Sequence, residues 1–276
     1  MPLTEAEKEW FRQERKRAHA VWTGELLEIT YIGQRREYHR IGVRKQIKGF
    51  TPSARLRMLR TIASVEWQSF KKGVFITLTY PDSFIDRTMQ QRTRDRYLFM
   101  RSMEKHLGRK VGALWRVEWE SRKTGRNQGR LMCHVHIIVF NCRFIHKDEV
   151  RSGWRRALNA EGPLITWIDG ISDGRKASRY VSKYCAKGQQ ASVLDDSSYL
   201  NTSGRHWGMH RKQLIPFAFR VMIPYLDDDM IQLAENLAGS KFKYFTKGAG
   251  NGFSVFGSDA KKIGEEIFLR DVDRHG

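Results

Sequence analysis

Cysteine is scarce in this chain, and the few cysteines present exclude two common architectures. Cys133, Cys142 and Cys185 are odd in number and lack Cys-x-x-Cys spacing, so they support neither a disulfide framework nor a structural zinc site. No apolar run of about 18 residues occurs, and the N-terminal stretch is charged. We therefore expect a cytoplasmic protein with no membrane partner, whose cysteines are reduced and packed.

Acidic residues are in a clear minority. The 276 residues include 50 Lys and Arg against 30 Asp and Glu, a formal net charge of +20. Hydrophobic residues make up 40% of the chain and aromatic residues 12%, which is enough for a packed core and excludes a wholly disordered chain. A folded protein of this charge is expected to bind a polyanion, because neutralising nucleic-acid phosphates releases condensed counterions.

The hydrophobic pattern predicts an α+β fold with a central, mostly antiparallel β-sheet flanked by helices. Strands are predicted over residues 74–80, 113–120, 133–140, 164–168 and 217–223. Helices are predicted over residues 5–19, 54–70, 88–107, 149–159, 176–187 and 227–237. We divide the chain into a basic helical N-terminal arm (1–71), a central domain (72–225) and a C-terminal extension of unassigned role (226–276).

Two histidines on one predicted strand give the sharpest local signal. His134 and His136 are two residues apart, so their side chains project to the same face of the strand, about 7 Å apart. On the strand before it, Arg116, Glu118 and Glu120 also share one face. If the two strands pair, one carboxylate completes a two-histidine, one-carboxylate set for a divalent cation. The alternative is a surface edge with two solvated glutamates.

A second signal lies on the predicted helix over 176–187. Spacing of three and four residues brings two phenols and two ammonium groups onto one helix face: Tyr180, Lys183, Tyr184 and Lys187. A tyrosine becomes a useful nucleophile when its target is an anion polarised by a metal with a cation nearby, and a phosphate fits that target. The alternative is two packed rings beside lysines whose ammonium groups reach solvent.

These blocks resemble the rolling-circle replication initiators of the HUH endonuclease superfamily, especially those of plasmids and single-stranded-DNA phages. The segment Phe75 to Pro81 is similar to the first strand motif of that family. His134-Val135-His136, preceded by Trp115-Arg116-Val117-Glu118, is similar to its metal motif, and Tyr180 to Lys187 to the motif of its two-tyrosine members. The likeness extends over residues 72–223 and has the order of the initiators, in which the tyrosines follow the histidines.

The resemblance implies an HUH nuclease sheet of RRM-like topology and an enzyme that nicks and joins DNA. Mg²⁺ or Mn²⁺ would be held by His134, His136 and Glu118, with Glu120 the alternative carboxylate. Tyr180 or Tyr184 would attack the scissile phosphate and form a 5′-phosphotyrosine link, with Lys183 and Lys187 stabilising charge. No other cofactor is implied.

The partners expected from this resemblance are single-stranded DNA and an origin duplex or hairpin, in a bacterial host cytoplasm. Because no Gly-x-x-x-x-Gly-Lys-Ser/Thr motif occurs, a host helicase is expected to separate the strands and a host polymerase to extend the 3′ end. Candidate DNA contacts lie in the arm and in the loop after Glu120: Arg35, Arg36, Arg40, Arg44, Lys45, Arg122, Lys123 and Arg126. A two-tyrosine single-strand transposase and a non-catalytic DNA- or RNA-binding regulator remain alternatives.

Overall fold

The computed structural model describes residues 18–31, 50–67, 70, 72–84, 86–123, 128–129, 131–171, 205–238 and 252–275. Over these ranges the fold is α+β, with two open antiparallel sheets and five α-helices. Two compact units form: one from residues 1–42, 63–66 and 217–276, the other from 43–62 and 67–216. The predicted fold class is confirmed.

The strands, numbered along the chain, are β1 (Ala18–Thr23), β2 (Leu26–Tyr31), β3 (Gly73–Thr79), β4 (Ala113–Ser121), β5 (Leu131–Phe140), β6 (Thr166–Ile171), β7 (Trp207–His210), β8 (Arg220–Leu226) and β9 (Gly252–Phe256). The helices are α1 (Pro52–Ala63), α2 (Met89–Leu107), α3 (Lys147–Leu158), α4 (Asp228–Ala238) and α5 (Ser258–His275). The predicted helix over 5–19 lies almost wholly outside the described residues, and the helix over 176–187 does so entirely.

The larger unit contains a five-stranded sheet in the order β6-β3-β5-β4-β7. Each neighbouring pair is antiparallel, and β4 and β5 pair from Ala113 opposite Val139 to Ser121 opposite Leu131. This is the hairpin that the polar loop between the two strands predicts. Strand β7 was not predicted, because its segment Trp207–His210 is short and rich in His and Gly.

One face of this sheet is apolar and packs against helices α2 and α3. Val117, Val135 and Ile137 are fully buried there together with Phe99 of α2 and Trp154 of α3. Alternation along the strands therefore assigns one face to the core and leaves the other for polar side chains. Cys133 is part of this core, and burial raises the pKa of its thiol to about 11.

Helix α2 begins and ends where its capping residues predict. Thr88 and Gln91 form a reciprocal capping box at the N-terminus. Gly108 ends the helix in the left-handed conformation at φ 65°, and its backbone N–H caps the last turn. These signals fix the length of the helix that covers the apolar face.

The smaller unit contains a four-stranded sheet in the order β8-β1-β2-β9. Leu27, Ile29 and Ile223 pack in its core against Ile263 and Ile267 of α5. Residues 18–31 thus form a β-hairpin, where a helical arm was predicted. The partner strands β8 and β9 are far away in the sequence, so no local sequence pattern predicts this pairing.

No helix in the described ranges is long and apolar enough to cross a membrane.

Candidate functional site

The polar face of the five-stranded sheet gathers the histidine pair against two threonines of β3. His134 and His136 lie side by side, with ring centroids 6.1 Å apart. The Thr77 hydroxyl is 3.1 Å from Nδ1 of His136, and the Thr79 hydroxyl is 3.0 Å from Nδ1 of His134. When Nδ1 carries the proton, the hydroxyl oxygen accepts it and Nε2 is the unprotonated nitrogen. The threonines therefore orient both rings through Nδ1 and leave each Nε2 on the polar face of the sheet.

Glu118 reaches the histidine pair from β4. It lies opposite His134 in the strand register, and its Oε2 is 2.7 Å from Nε2 of His136. Glu118 is 7% exposed and His136 8% exposed. A carboxylate in this position stabilises a cation bound at the polar face of the sheet.

The residue types at this position fit a divalent metal ion. Two imidazoles whose Nδ1 atoms are held by hydroxyl groups, together with one carboxylate, are suitable donors for a transition metal or Mg²⁺ with open coordination positions. In the part of the chain that the structure describes, no group of three or more His, Cys, Asp or Glu side chains is arranged to hold a metal ion. The histidine and carboxylate donors are adjacent, with His136 and Glu118 in direct contact.

Glu120, the second candidate carboxylate, does not reach the histidines. It lies opposite Met132, and its Oε1 is 3.7 Å from Nζ of Lys123. It is on the same face of β4 as Glu118, as alternation predicts, but one repeat closer to the loop. The register therefore brings Glu118 to the histidine pair and leaves Glu120 at the end of the strand.

Aromatic side chains and a buried arginine surround the pair. Phe75 stacks on His136 with ring centroids 5.7 Å apart. Arg116 lies opposite His136 in the register, is 2% exposed, and places its guanidinium 4.7 Å from the Phe50 ring centroid. Arg116 therefore adds a permanent cation to the same face of β4 as Glu118.

Trp167 is a feature of the site that was not predicted from the sequence. It lies opposite Thr77 on β6 and contacts Phe75 edge to face, with centroids 6.3 Å apart. Its side chain is 49% exposed. An exposed indole at the rim of a polar sheet face is a suitable surface for stacking a nucleobase. The signal in the sequence was a large aromatic residue between Thr166 and Ile168 on a short predicted strand.

Tyr80 shows that a tyrosine close in sequence to the site serves another purpose. Its hydroxyl donates to Oδ2 of Asp95 at 3.2 Å on the apolar side of the sheet. Burial, followed by the nearby Asp95 charge, raises the pKa of Tyr80 well above its ordinary value. The phenol stays protonated, which makes Tyr80 a structural residue.

Two further histidines are separate from the pair. His210 Nε2 is 3.1 Å from Oε1 of Glu104 on α2. His206 is 3% exposed, and its carbonyl accepts the Val117 N–H at 2.7 Å. The structure thus places His206 in the interior of this unit and His210 against helix α2.

Several predicted site residues lie outside the described residues. These are Tyr180, Lys183, Tyr184 and Lys187 of the tyrosine motif, and Arg35, Arg36, Arg40, Arg44, Lys45 and Arg126 among the candidate DNA contacts. Arg122 is described and pairs with Asp82 at 3.1 Å. The side chain of Lys123 is 83% exposed.

The chain is similar to a known protein family over part of its length. Residues 73–189 match the family of replication-associated protein ORF2/G2P. The matched region begins at β3 and includes His134, His136, Glu118 and the Tyr180 to Lys187 segment. Over these residues the chain is similar to replication-associated proteins. No curated protein and no solved structure matches the chain.

Proposed function

We propose that this protein initiates rolling-circle replication by nicking one DNA strand at an origin and later rejoining it. The observation that carries the proposal is the contact of Glu118 with the threonine-oriented histidine pair. It lies inside the region that matches the replication-associated family. The resemblance of the tyrosine motif to two-tyrosine initiators supplies the nucleophile.

In the proposed reaction a phenolic oxygen of Tyr180 or Tyr184 forms a bond to the scissile phosphorus. The bond from phosphorus to the 3′ oxygen breaks, the 3′ oxygen takes up a proton, and the phenol proton is released. The products are a 5′-phosphotyrosine link and a 3′-OH. Because one phosphate ester replaces another, the bond energy is retained, and the second tyrosine can attack after one round to release a circle.

His134, His136 and Glu118 would hold the metal ion. A bound Mg²⁺ or Mn²⁺ would supply polarisation of the scissile phosphate. Thr77 and Thr79 keep the Nε2 atoms directed at the polar face, so that the ligand geometry is set before DNA binds. Lys183 and Lys187 would stabilise charge on the phosphate or lower the cost of forming a phenolate.

Single-stranded DNA is the proposed substrate at the sheet face. Trp167 would stack one base at the rim, while Arg116 adds positive charge beside the phosphate. Arg122 and Lys123 lie at the loop end of β4 and would contact the duplex or hairpin next to the nick. A host helicase and polymerase complete the proposed cycle.

Covalent adduct formation tests the proposal. The purified protein is incubated with labelled single-stranded oligonucleotides tiled across its replicon, with Mn²⁺ or with EDTA, and run on denaturing gels. We expect a Mn²⁺-dependent protein–DNA band that is lost in Tyr180→Phe or Tyr184→Phe, or only in the double variant. Tyr199→Phe, a tyrosine of the same segment outside the motif, is the matched control and should keep the band.

The outcomes separate the alternatives. Absence of any adduct across the replicon, with DNA binding intact, would overturn the nuclease and leave a DNA-binding regulator. An adduct formed only on ends of a mobile element would identify a transposase instead of an initiator. A band that persists in EDTA would overturn the role of the metal ion.

A further inference from the structure

The outer surface of the helix layer contains a basic groove that the proposed chemistry does not use. A cavity of about 650 Å³ opens between the C-terminal half of α2, the loop that follows it, α3 and the end of β7. One carboxylate, Glu104, lines it together with six basic side chains: Arg101, Lys105, Arg109, Lys110, Arg156 and Arg211. Helix α2 packs its other face onto the apolar side of the sheet, so the groove and the histidine pair are on opposite sides of this unit.

The single carboxylate is already engaged. Both oxygens of Glu104 accept from Arg211, with Nη2 to Oε2 at 2.9 Å, and Oε1 also lies 3.1 Å from His210. Burial would raise the pKa of Glu104, but these hydrogen bonds lower it to about 2. The groove therefore keeps a large excess of positive charge at neutral pH.

Two of the arginines are held in place by contacts that leave their charge intact. Arg156 donates to the Ser102 hydroxyl at 2.8 Å, and Arg109 donates to the Asn141 carbonyl. In the described ranges, Arg101, Lys105 and Lys110 have no carboxylate within ion-pair distance. Cations that are positioned but not neutralised are what a phosphate chain requires.

Arg211, at the rim of the groove, has a left-handed backbone conformation. Its φ is 44°, one of three positive values at non-glycine residues in the described ranges, and this left-handed region is strained for a residue with a side chain. The conformation turns the chain after β7 and directs the guanidinium onto Glu104 at the rim of the groove. The fold thus accepts backbone strain at the point where it fixes a cation.

An exposed aromatic ring extends the groove along α2. Tyr97 is 53% exposed. The hydrogen bond to Glu104 is the main cause of the raised pKa of Arg211, and Tyr97 is close enough to contribute to it. Tyr97, Arg101 and Lys105 are spaced by four residues, so they form one stripe along the helix, about 12 Å long. A basic groove with an exposed aromatic beside it is the arrangement that binds single-stranded nucleic acid by phosphate contacts and base stacking.

We propose that this groove binds the backbone of a single DNA strand, separate from the segment at the histidine face. The exposed ring of Tyr97 beside the basic side chains favours a single strand over a duplex, because unpaired bases are free to stack on it. The proposal requires DNA binding but not nicking. If the protein nicks DNA as proposed above, the groove would hold the displaced strand while the histidine face holds the strand being cleaved, on the opposite side of the sheet.

Fluorescence anisotropy with a labelled oligothymidylate of about 20 nucleotides, titrated at several salt concentrations, tests this groove. The variant is Arg101→Gln with Lys105→Gln. The matched control is Arg155→Gln with Lys262→Gln, which removes the same charge from exposed helix positions outside the groove. We expect the groove variant to bind about tenfold more weakly, and its salt slope to fall by about 0.7 for each phosphate that it no longer neutralises. Tyr97→Ala should weaken binding further and Tyr97→Phe should not.

The outcomes of these titrations decide whether the groove binds a single DNA strand. Equal affinity and equal salt slope in the groove and control variants would overturn the proposal. Loss of duplex affinity with unchanged single-strand affinity would overturn the choice of ligand. His134→Ala is expected to abolish the adduct and keep the salt slope of the wild type, so failure of the nicking reaction and failure of the groove are separate observations. Thermal unfolding of each variant confirms that it is folded.

Discussion

Two buried carboxylates in the five-stranded unit each contact a histidine, yet they have different partners. Glu104 accepts a two-point contact from Arg211 and lies beside His210. Glu118 contacts His136, whose other ring nitrogen lies against Thr77. A guanidinium is a permanent cation with no lone pair to offer a metal, whereas an imidazole is itself a ligand. The same carboxylate and histidine types thus form a structural tie in one place and, in our proposal, a metal-ligand set in the other.

The largest expected contrast is in catalysis. Glu118→Gln keeps a hydrogen-bonding group of the same size but removes the charge, so we expect the rate of adduct formation to fall at least about a thousandfold, or about 4 kcal/mol in the barrier. Glu120→Gln, two residues along the same strand, should change the rate by less than about threefold. Single-turnover gels with saturating oligonucleotide measure both. Equal losses in the two variants would mean that the register does not select the ligand.

The next contrast is in stability. The pKa of Glu104 is lowered from 4.5 to about 2, so its ionised form stabilises the folded protein above about pH 4.5, by about 3 kcal/mol. That contribution is lost as the pH falls from about 4.5 to 2. We expect Glu104→Gln to lower the free energy of unfolding at neutral pH by about this amount. Below about pH 4.5, the free energy of unfolding of the variant should depend less on pH than that of the wild type. Urea unfolding followed by tryptophan fluorescence at several pH values measures it. If the free energy of unfolding of the variant fell with acid as steeply as that of the wild type, the structural role of Glu104 would be contradicted.

The smallest contrast concerns the threonines that orient the histidines. Thr79→Val removes the hydroxyl beside His134 without changing the shape of the side chain, and we expect the Mn²⁺ concentration for half-maximal adduct formation to rise about 10- to 100-fold. High Mn²⁺ should restore the rate. The control is Thr61→Val, whose hydroxyl donates to the Arg57 carbonyl in an exposed hydrogen bond on α1. A rate that stays low at saturating Mn²⁺ would show that Thr79 acts on folding instead.

Much of the polar face could be predicted from the sequence. Alternation on β4 and β5 placed His134, His136 and Glu118 on one side and the apolar residues on the other, because side-chain direction in a strand follows from local geometry alone. The choice between Glu118 and Glu120 required the register, which depends on how the two strands pair. The threonine contacts required the position of β3, which is more than 50 residues away.

The remaining features depend on contacts between distant segments. The four-stranded sheet joins residues 18–31 to strands about 200 positions later, and the basic composition near the N-terminus gave the stronger local signal. The basic groove gathers residues from α2, α3 and the end of β7, none of which is distinctive alone. In both cases the information lies in the pairing of segments and not in any one of them.

The pairing of β1 with β8 also determines when the four-stranded sheet can form during synthesis of the chain. Ala20 lies opposite Ile223, and a ribosome adds about 5–20 residues per second, so roughly 10–40 seconds separate the synthesis of the two strands. The sheet that carries the histidine pair gains its last strand at His210, before β8 has been made. The amino-terminal hairpin therefore waits with an unpaired edge, and its closure comes late in biosynthesis.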